Sequence, residues 1–333
     1  MSTSVSLTPD TRIFQLPRAF PLASGRSLVG GQLAFERFGN PDGPVVIVQG
    51  GISAGRHVIS RHGVPGWWDA VVAPSGAIDL ERFCVFGIDL LGGNGASTSP
   101  VNQRAEDFPA LAPVDQARAT SLLLAHLGVT RAHAFVGASY GGMVGLALAA
   151  IAPGSLDRLV AIHAPHRPHP RATAWRILQR RLVSLGQAIG ADEEALLLAR
   201  ALAMTTYRSE GEFAARFEGR ASEPEDRDVW AYLAARGRDF GTRFDARAFV
   251  TLSDALDRHD VEPAAIHVPT WIVGSTTDEL VPPRQLEDLA GRLSGPSRLT
   301  WIESPYGHDA FLKEIDALTP VLHEALERKD PLR

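Results

Sequence analysis

Residues 132–150 read AHAFVGASYGGMVGLALAA, and this stretch decides the fold. Its start, Ala132 to Val136, is predicted to form a short buried strand, and Gly141 to Ala150 is a small-residue helix that can pack closely on a sheet. Between them lies the pattern G-x-S-x-G, centred on Ser139. Its glycines allow a sharp turn that leaves the serine hydroxyl exposed at a helix N-terminus. Ser139 is therefore predicted to be a nucleophile; the alternative is a tight turn with an incidental serine.

Similar apolar runs recur along the chain and indicate further buried strands. Helical periodicity separates them, as at Val114 to Leu127. This alternation predicts an α/β fold, with a mostly parallel central sheet and helices on both faces. Ser27 to Phe38 alternates in a way that favours an antiparallel hairpin at the sheet edge. The other predicted strands are Pro44 to Gln49, Phe83 to Leu90, Leu159 to Ile162, Thr270 to Val273 and Leu299 to Ile302.

Residues 166–255 differ from the rest, because they show helical periodicity, many arginines and no convincing strand. We predict a helical cap here, inserted between a first part of the core, residues 1–165, and a second part, residues 256–333. His166 to Pro170 would be the entry linker, since its two prolines discourage helix continuation. The sheet is expected to resume near Pro269.

A serine hydroxyl needs a base within hydrogen-bond reach, and that base needs a carboxylate to orient it. In G-x-S-x-G enzymes of this topology the acid follows a late strand and the histidine follows the last one. Asp278 comes five residues after Val273, and His308 comes six residues after Ile302. The sequence therefore predicts a catalytic triad of Ser139, Asp278 and His308.

Other residues compete for the same roles. Glu279 and Asp288 are the alternative acids, but Glu279 is followed by LVPP, which reads as the turn into the next helix. We interpret the other ten histidines as surface or packing residues, among them His163, His166 and His169. His57 alone lies close enough to the predicted oxyanion loop to touch a substrate.

The tetrahedral oxyanion needs two donors. One is normally the backbone N–H after the nucleophile, here Tyr140, and the other comes from the loop after the early strand. That loop is Gln49 to Ile52, and Gly51 or Ile52 is predicted to supply the second donor. No set of His, Asp and Glu residues shows a spacing such as H-E-x-x-H, so no metal is predicted.

Composition limits the possible partners. The 333 residues are 45% hydrophobic and carry 33 basic and 38 acidic residues, with no basic stripe for binding nucleic acid. The only cysteine, Cys84, lies in an apolar run, which suits a reducing cytosol. No signal-peptide pattern and no apolar run of ~18 residues is found. A soluble cytoplasmic protein that binds neither nucleic acid nor membranes is therefore expected.

Further motifs accompany the Ser139 motif in a fixed order over most of the chain. They are Leu90 to Gly93, Ser97 to Pro100, Gly137 to Met143, Thr206 to Glu210, Phe213, Arg216-Phe217, Arg243 to Ala246, Ala255 to Asp257 and Gly307 to Leu312. Together they resemble the homoserine O-acyltransferases of the α/β-hydrolase superfamily, a group that also contains serine O-acyltransferases. The resemblance implies the α/β-hydrolase fold and a homodimer formed through the cap.

The resemblance also implies the reaction and the residues that bind the amino acid. An acetyl group would move from acetyl-CoA to L-homoserine by a ping-pong mechanism, as a step of methionine biosynthesis. Acyl-CoA would be a co-substrate, and no cofactor is implied. In the family, a cap arginine, a cap tyrosine and the aspartate after the catalytic histidine hold the amino acid; the matching positions are Arg200, Tyr207 and Asp309. Arg200 would bind the α-carboxylate and Asp309 the α-ammonium group.

Several alternatives stay open. The donor could be succinyl-CoA and the acceptor serine, or the enzyme could be a carboxylic ester hydrolase or a non-catalytic relative. Arg200 could instead be a solvent-exposed arginine of the cap, and Asp309 could be a helix N-cap, with neither residue binding substrate. The chain also departs from the family pattern in a shorter cap before Arg200 and in the loop of residues 49–57.

Overall fold

The strand that leads into Ser139 lies inside an eight-stranded sheet. The structure is a computed structural model that describes residues 8, 10–103, 108–218, 228–327 and 332. Its strands are β1 Arg12–Gln15, β2 Ala19–Pro21, β3 Ser27–Val29, β4 Gln32–Gly39, β5 Val45–Gln49, β6 Val72–Ala73, β7 Ile78–Asp79, β8 Cys84–Ile88, β9 Ala134–Ala138, β10 Leu159–Ile162, β11 Thr270–Ser275 and β12 Ser297–Ile302.

The helices alternate with the later strands. They are α1 Pro113–His126, α2 Tyr140–Ile151, α3 Pro170–Ile189, α4 Asp192–Tyr207, α5 Glu210–Phe217, α6 Asp228–Arg243, α7 Ala246–Asp257, α8 Pro283–Arg292, α9 Ala310–Lys313 and α10 Ile315–Glu327. Short 3-10 turns occur at Pro263–Ala265 and Gly307–Asp309.

The main sheet has the order β1-β4-β8-β5-β9-β10-β11-β12. Strands β8, β5, β9, β10, β11 and β12, neighbours in this order, pair in parallel. Strands β1 and β4 are antiparallel to their neighbours. Strands β9 and β10 are buried along their whole length, as expected for parallel strands covered on both faces. The predicted α/β class and mostly parallel sheet are confirmed.

Alternate residues of each strand enter different cores. Ile47 and Phe135 belong to one hydrophobic cluster, with the apolar side of α2. Val48 and Val136 belong to the other, with the apolar side of α10. This follows from the two-residue repeat of a strand, and Cys84 lies buried in the first cluster.

The predicted edge hairpin at Ser27 to Phe38 is wrong. Strand β3 pairs with β2 in a separate two-stranded sheet, and β4 pairs with β1 and β8 in the main sheet. The chain changes sheets at Gly30, whose φ of 62° carries no steric cost for glycine. Alternation identified the strands but carries no information on their partners.

Five helices, α3 to α7, follow β10, and no strand occurs between β10 and β11 within the described residues. Here α3 packs on α4, and α4 packs on α6. A Cβ on Gly186 would lie 2.1 Å from the Cβ of Ala195, so this glycine lets α3 and α4 approach closely. We call residues 166–255 the cap. Within the part of the chain that is described, no helix combines the length and apolar character needed to cross a bilayer.

The Asn94 side chain makes one of the links between the cap and the core. Asn94 Nδ2 donates to the Arg243 carbonyl oxygen at 2.6 Å, and the backbone N–H of Asp245 donates to Asn94 Oδ1 at 2.9 Å. One amide thus satisfies two backbone groups at the junction of α6 and α7. The junction is held against the loop that follows β8.

Candidate active site

Ser139 lies at the turn between β9 and α2. Its φ of 54° and ψ of −118° are uncommon for a residue other than glycine. Its backbone N–H donates to the Ile162 carbonyl oxygen at 2.8 Å, and its own carbonyl accepts from Met143 N at 3.1 Å. The neighbouring strand and helix therefore fix this strained backbone, a situation that is concentrated at functional sites.

The glycines of the motif are required by close backbone approach. A Cβ on Gly137 would lie 2.4 Å from the Gly141 carbonyl oxygen, and one on Gly141 would lie 2.1 Å from the Gln49 carbonyl oxygen. In addition, the Gly141 N–H donates to the Gly50 carbonyl oxygen at 2.9 Å. The turn at Ser139 and the loop after β5 consequently form one hydrogen-bonded unit.

The structure brings the three side chains of the predicted triad into one hydrogen-bonded chain. His308 Nε2 lies 2.8 Å from Ser139 Oγ, and His308 Nδ1 lies 2.7 Å from Asp278 Oδ2. Asp278 follows β11, and His308 lies in the 3-10 turn after β12. The parallel order of the strands therefore places all three at the carboxyl end of the sheet.

Asp278 is 3% exposed and accepts four hydrogen bonds. Its Oδ1 accepts from the backbone N–H groups of Leu280 and Val281 at 2.8 and 3.0 Å. Its Oδ2 accepts from His308 and also from His163 Nδ1 at 2.8 Å. Burial by itself would raise the pKa of Asp278, but the charge of His308 and the two histidine hydrogen bonds hold that pKa far below its usual value.

The environment of His308 acts in the opposite direction. Burial lowers its pKa, but the charge of Asp278 and the hydrogen bond to it outweigh burial, so the pKa of His308 is raised above its ordinary value of 6.5. A raised pKa makes His308 a better proton acceptor once it is deprotonated. This is what a base for Ser139 requires.

Sequence reasoning missed the contact between His163 and Asp278, because it interpreted His163 as a packing residue. The ligand atoms of His163, Asp278 and His308 lie within 4.8 Å of one another, a spacing that a metal ion could use. In this structure the two imidazole N–H groups donate to the carboxylate instead. The one available signal was position, since His163 directly follows β10 at the same end of the sheet.

The predicted oxyanion donors lie in two segments next to Ser139, the loop after β5 and the first residue of α2. A Cβ built on Gly51 would lie 3.8 Å from Ser139 Oγ, so the Gly51 backbone is next to the nucleophile. Ile52 lines the same cavity. Tyr140 is the first residue of α2, where a backbone N–H has no partner within the helix. Its side chain is buried, and its backbone N–H remains the predicted donor.

A cavity of about 720 Å³ lies between the Ser139 turn and the cap. It is lined by Ser139, His308, Gly51, Arg200, Tyr207 and Asp309, among other residues. The three predicted substrate-binding residues thus share one cavity with the nucleophile. Its volume suits a small molecule or one part of a larger one.

Arg200 and Tyr207 lie on α4 and contact each other. The Arg200 guanidinium is 5.0 Å from the centre of the Tyr207 ring and 4.8 Å from that of Phe240. Its Nε atom is buried and has no hydrogen-bond partner in the described parts of the chain. The Tyr207 ring centre lies 5.8 Å from that of His308. Arg200 is therefore held beside the triad with a donor still to satisfy.

Asp309 forms an ion pair that the sequence did not predict. Its Oδ2 lies 3.1 Å from Arg208 Nη2, and both side chains are mostly buried. Arg208 also lies over the ring of Tyr306, at 5.4 Å from its centre. Asp309 occupies the N-cap position of α9, as the alternative interpretation expected, but its side chain makes no capping hydrogen bond there. Arg208 had one signal, its place next to Tyr207 in a motif of the family.

His57 lines the cavity and is hydrogen-bonded to the buried Glu36. His57 Nδ1 lies 3.1 Å from Glu36 Oε2, while Thr8 and Thr11 donate their hydroxyls to Glu36 Oε1 at 2.6 and 2.9 Å. Arg56 Nε lies 3.3 Å from the same oxygen. Burial would raise the pKa of Glu36, but the hydrogen bonds from His57, Thr8 and Thr11 lower it to about 2.

Comparisons with known proteins agree with this site. A family model described as the α/β-hydrolase fold matches residues 35–315. The homoserine O-succinyltransferase of Xanthomonas campestris pv. campestris is 40% identical over 89% of this chain and 79% of that protein. The homoserine O-acetyltransferase of Trichlorobacter lovleyi is 32% identical over 93% of this chain and 95% of that protein.

Among solved structures, esterase E22 matches with a TM-score of 0.86 over 95% of this chain and 99% of that chain. At 19% identity this likeness supports the fold alone. The sequence relatives carry the finer assignment, and they confirm the resemblance drawn from the motifs. The chain belongs to the α/β-hydrolase fold family and, within it, to the homoserine O-acyltransferases.

Proposed function

We propose that this enzyme transfers an acetyl group from acetyl-CoA to the hydroxyl of L-homoserine through an acyl-enzyme at Ser139. One observation carries the proposal. The cavity that Ser139 lines is also lined by Asp309 and by Arg200, whose buried Nε donor has no partner among the described residues. A cation and an anion beside one nucleophile suit a zwitterionic amino acid better than a simple ester.

In the first half-reaction His308 Nε2 accepts the proton of Ser139 Oγ. The oxygen attacks the thioester carbonyl, and the resulting oxyanion accepts hydrogen bonds from the Tyr140 N–H and from Gly51 or Ile52. When the tetrahedral intermediate collapses, the carbon–sulfur bond breaks and His308 returns its proton to the CoA thiolate. The serine is then acetylated.

In the second half-reaction the homoserine hydroxyl takes the place of CoA. Arg200 binds its α-carboxylate and Asp309 its α-ammonium group, which orients the side-chain hydroxyl toward the acyl-serine. His308 accepts the hydroxyl proton and the oxygen attacks the acyl carbonyl. The bond from the acyl carbon to Ser139 Oγ then breaks, and His308 returns the proton to Ser139 Oγ. The cap, residues 166–255, limits the access of water, which favours transfer over hydrolysis.

The wider setting forms part of the same proposal. Acyl-CoA is a co-substrate and no prosthetic group or metal takes part. The product belongs to methionine biosynthesis in the cytoplasm. We further propose a homodimer formed through the cap, because α3 exposes an apolar stripe of Leu178, Leu185 and Ile189. Sedimentation of the parent protein and of L185E tests this: a dimer that becomes a monomer is expected, and a monomeric parent would overturn it.

A succinyl donor is the second candidate, because the relative from Xanthomonas campestris is a homoserine O-succinyltransferase. One assay separates the two. CoA release is measured with acetyl-CoA or succinyl-CoA, each with homoserine, with serine or with no acceptor. Homoserine-dependent release from acetyl-CoA is expected. A preference for succinyl-CoA would show that succinyl-CoA is the donor, and a preference for serine would show that serine is the acceptor. CoA release that does not depend on an acceptor would show that the enzyme is a hydrolase and not a transferase.

The parent protein is compared with S139A in that assay. Loss of a triad serine typically costs several orders of magnitude in kcat. S139A turnover within about tenfold of the parent would refute the acyl-serine mechanism.

A further inference from the structure

Two imidazole rings donate to the same oxygen of Asp278. His308 Nδ1 lies 2.7 Å and His163 Nδ1 lies 2.8 Å from Asp278 Oδ2. Only His308 reaches the nucleophile, through Nε2 at 2.8 Å from Ser139 Oγ. The mechanism above gives His163 no task, although its ring is fully buried in the site.

Several contacts fix the His163 ring in this place. Its backbone N–H donates to the Val273 carbonyl oxygen at 2.7 Å, and its φ is 50°, in the left-handed region. The ring meets His308 edge-on, with centres 5.6 Å apart and an interplanar angle of 87°. Its Nε2 is buried without a partner in the described part of the chain. The ring's one hydrogen bond is therefore the bond to Asp278.

We propose that His163 is a positioning residue that holds the Asp278 carboxylate and takes up part of its charge, so that Asp278 orients His308 without over-stabilising its protonated form. The proposal rests on the triad assigned above. A donor to a carboxylate stabilises its charged form and reduces the charge it presents to other partners. With two imidazole donors on one oxygen, His308 receives only part of that interaction.

Other groups also act on the charge of His308. The Asp309 carboxylate favours its protonated form and Arg176 disfavours it, while the Tyr207 ring packs beside it. The backbone donors from Leu280 and Val281 bind the other oxygen of Asp278. A substitution of His163 removes none of these groups. A change that follows the loss of the His163 donor can therefore be attributed to that donor.

Asparagine and leucine form a matched pair for the test, because their side chains have nearly the same shape and only asparagine can donate. Asparagine also tolerates a positive φ better than most residues. In H163N we expect the amide to replace the Nδ1–H donor to Asp278. In H163L that oxygen keeps one donor, His308.

The readout is the rate at which a fluorophosphonate phosphonylates the serine and releases fluoride, measured against pH. It needs neither CoA nor an acceptor, so it reports on the serine and histidine alone. H163L should move the acid limb of the profile to higher pH by about 0.5–1 unit, because His308 then faces the full charge of Asp278. H163N should keep the limb of the parent protein.

The proposal is overturned if the acid limb of H163L stays at the pH of the parent or moves to lower pH. It is also overturned if the acid limb of H163N moves to higher pH by as much as that of H163L. A purely structural role would lower the rate without moving the limb upward. If H163L does not fold, proton NMR with labelled histidine gives the second measurement. The parent should show low-field imidazole N–H signals for both His163 and His308, besides that of His57 against Glu36, and H163N should lack the His163 signal. A parent without the His163 signal would contradict the shared carboxylate. S139A separates the two claims, since labelling that persists in S139A refutes the nucleophile and not the role of His163.

Discussion

The carboxylate of Asp309 lies 3.1 Å from the guanidinium of Arg208, at the wall of the cavity that contains Ser139. Arg208 does not line that cavity, and its Nε and Nη1 atoms are buried without partners among the described residues. Within the described parts of the chain, Asp309 is therefore the one ion-pair partner of this mostly buried cation. At the same time it is the group proposed to bind the substrate ammonium.

These two roles of Asp309 can be separated with D309N and the double variant R208M/D309N. D309N should raise the KM for homoserine at least about tenfold and should destabilise the fold by about 1–3 kcal/mol, because Arg208 loses its partner. The double variant should regain part of the stability while its KM stays high. Kinetics and chemical denaturation measure the two effects. A double variant with the parent's KM would contradict the binding role.

The pH dependence of turnover should follow His308. Because its pKa is raised and its neutral form is the base, the acid limb of kcat/KM is expected above pH 6.5. D278N removes the charge that raises this pKa and leaves burial, which lowers it. Its limb should move to lower pH, and its rate should fall by about 10³–10⁴-fold. A parent limb below pH 6.5 would refute the assignment of the base.

The close approach of the backbones at Gly141 predicts an unusually damaging alanine substitution. In G141A the new Cβ would meet the Gln49 carbonyl oxygen at 2.1 Å, and neither backbone can move without breaking the turn. A loss of about 3 kcal/mol or more in the free energy of unfolding is expected. G241A is the control, since Gly241 lies in α6 with nothing within 4 Å, and it should stabilise by about 0.5–1 kcal/mol. Equal effects in denaturation experiments would contradict the steric argument.

The buried Glu36 should make stability depend on pH. Its pKa is about 2 in the folded protein against an ordinary 4.5, so its contribution is present above pH 4.5 and is lost as the pH falls toward 2. E36Q should therefore be less stable than the parent by about 3 kcal/mol near pH 7, and the gap should narrow between pH 4.5 and 2. E327Q, which breaks an exposed ion pair with Arg82, should cost less than about 1 kcal/mol. If the difference in stability between E36Q and the parent stayed constant with pH, it would contradict the assignment of this pH dependence to Glu36.

Local features of the sequence predicted much of the fold. The runs of valine and isoleucine located the parallel strands, and the chain order of strands located Asp278 and His308. Pairings between distant residues were not predictable, because they depend on packing rather than on periodicity. His163 and Asp278 are 115 residues apart, and the one signal of their contact is that each follows a strand at the same end of the sheet. The partners of β3 and β4 were missed for the same reason.

The bond from the Gly141 N–H to the Gly50 carbonyl joins the turn that carries the proposed nucleophile to the loop that carries the second proposed oxyanion donor. Both proposed donors are therefore oriented before any substrate arrives. A solvent shell would have to reorient its dipoles as negative charge develops, whereas these dipoles are aligned when the chain folds. The free-energy cost of aligning these dipoles is therefore incurred once, when the chain folds, and not in every catalytic cycle.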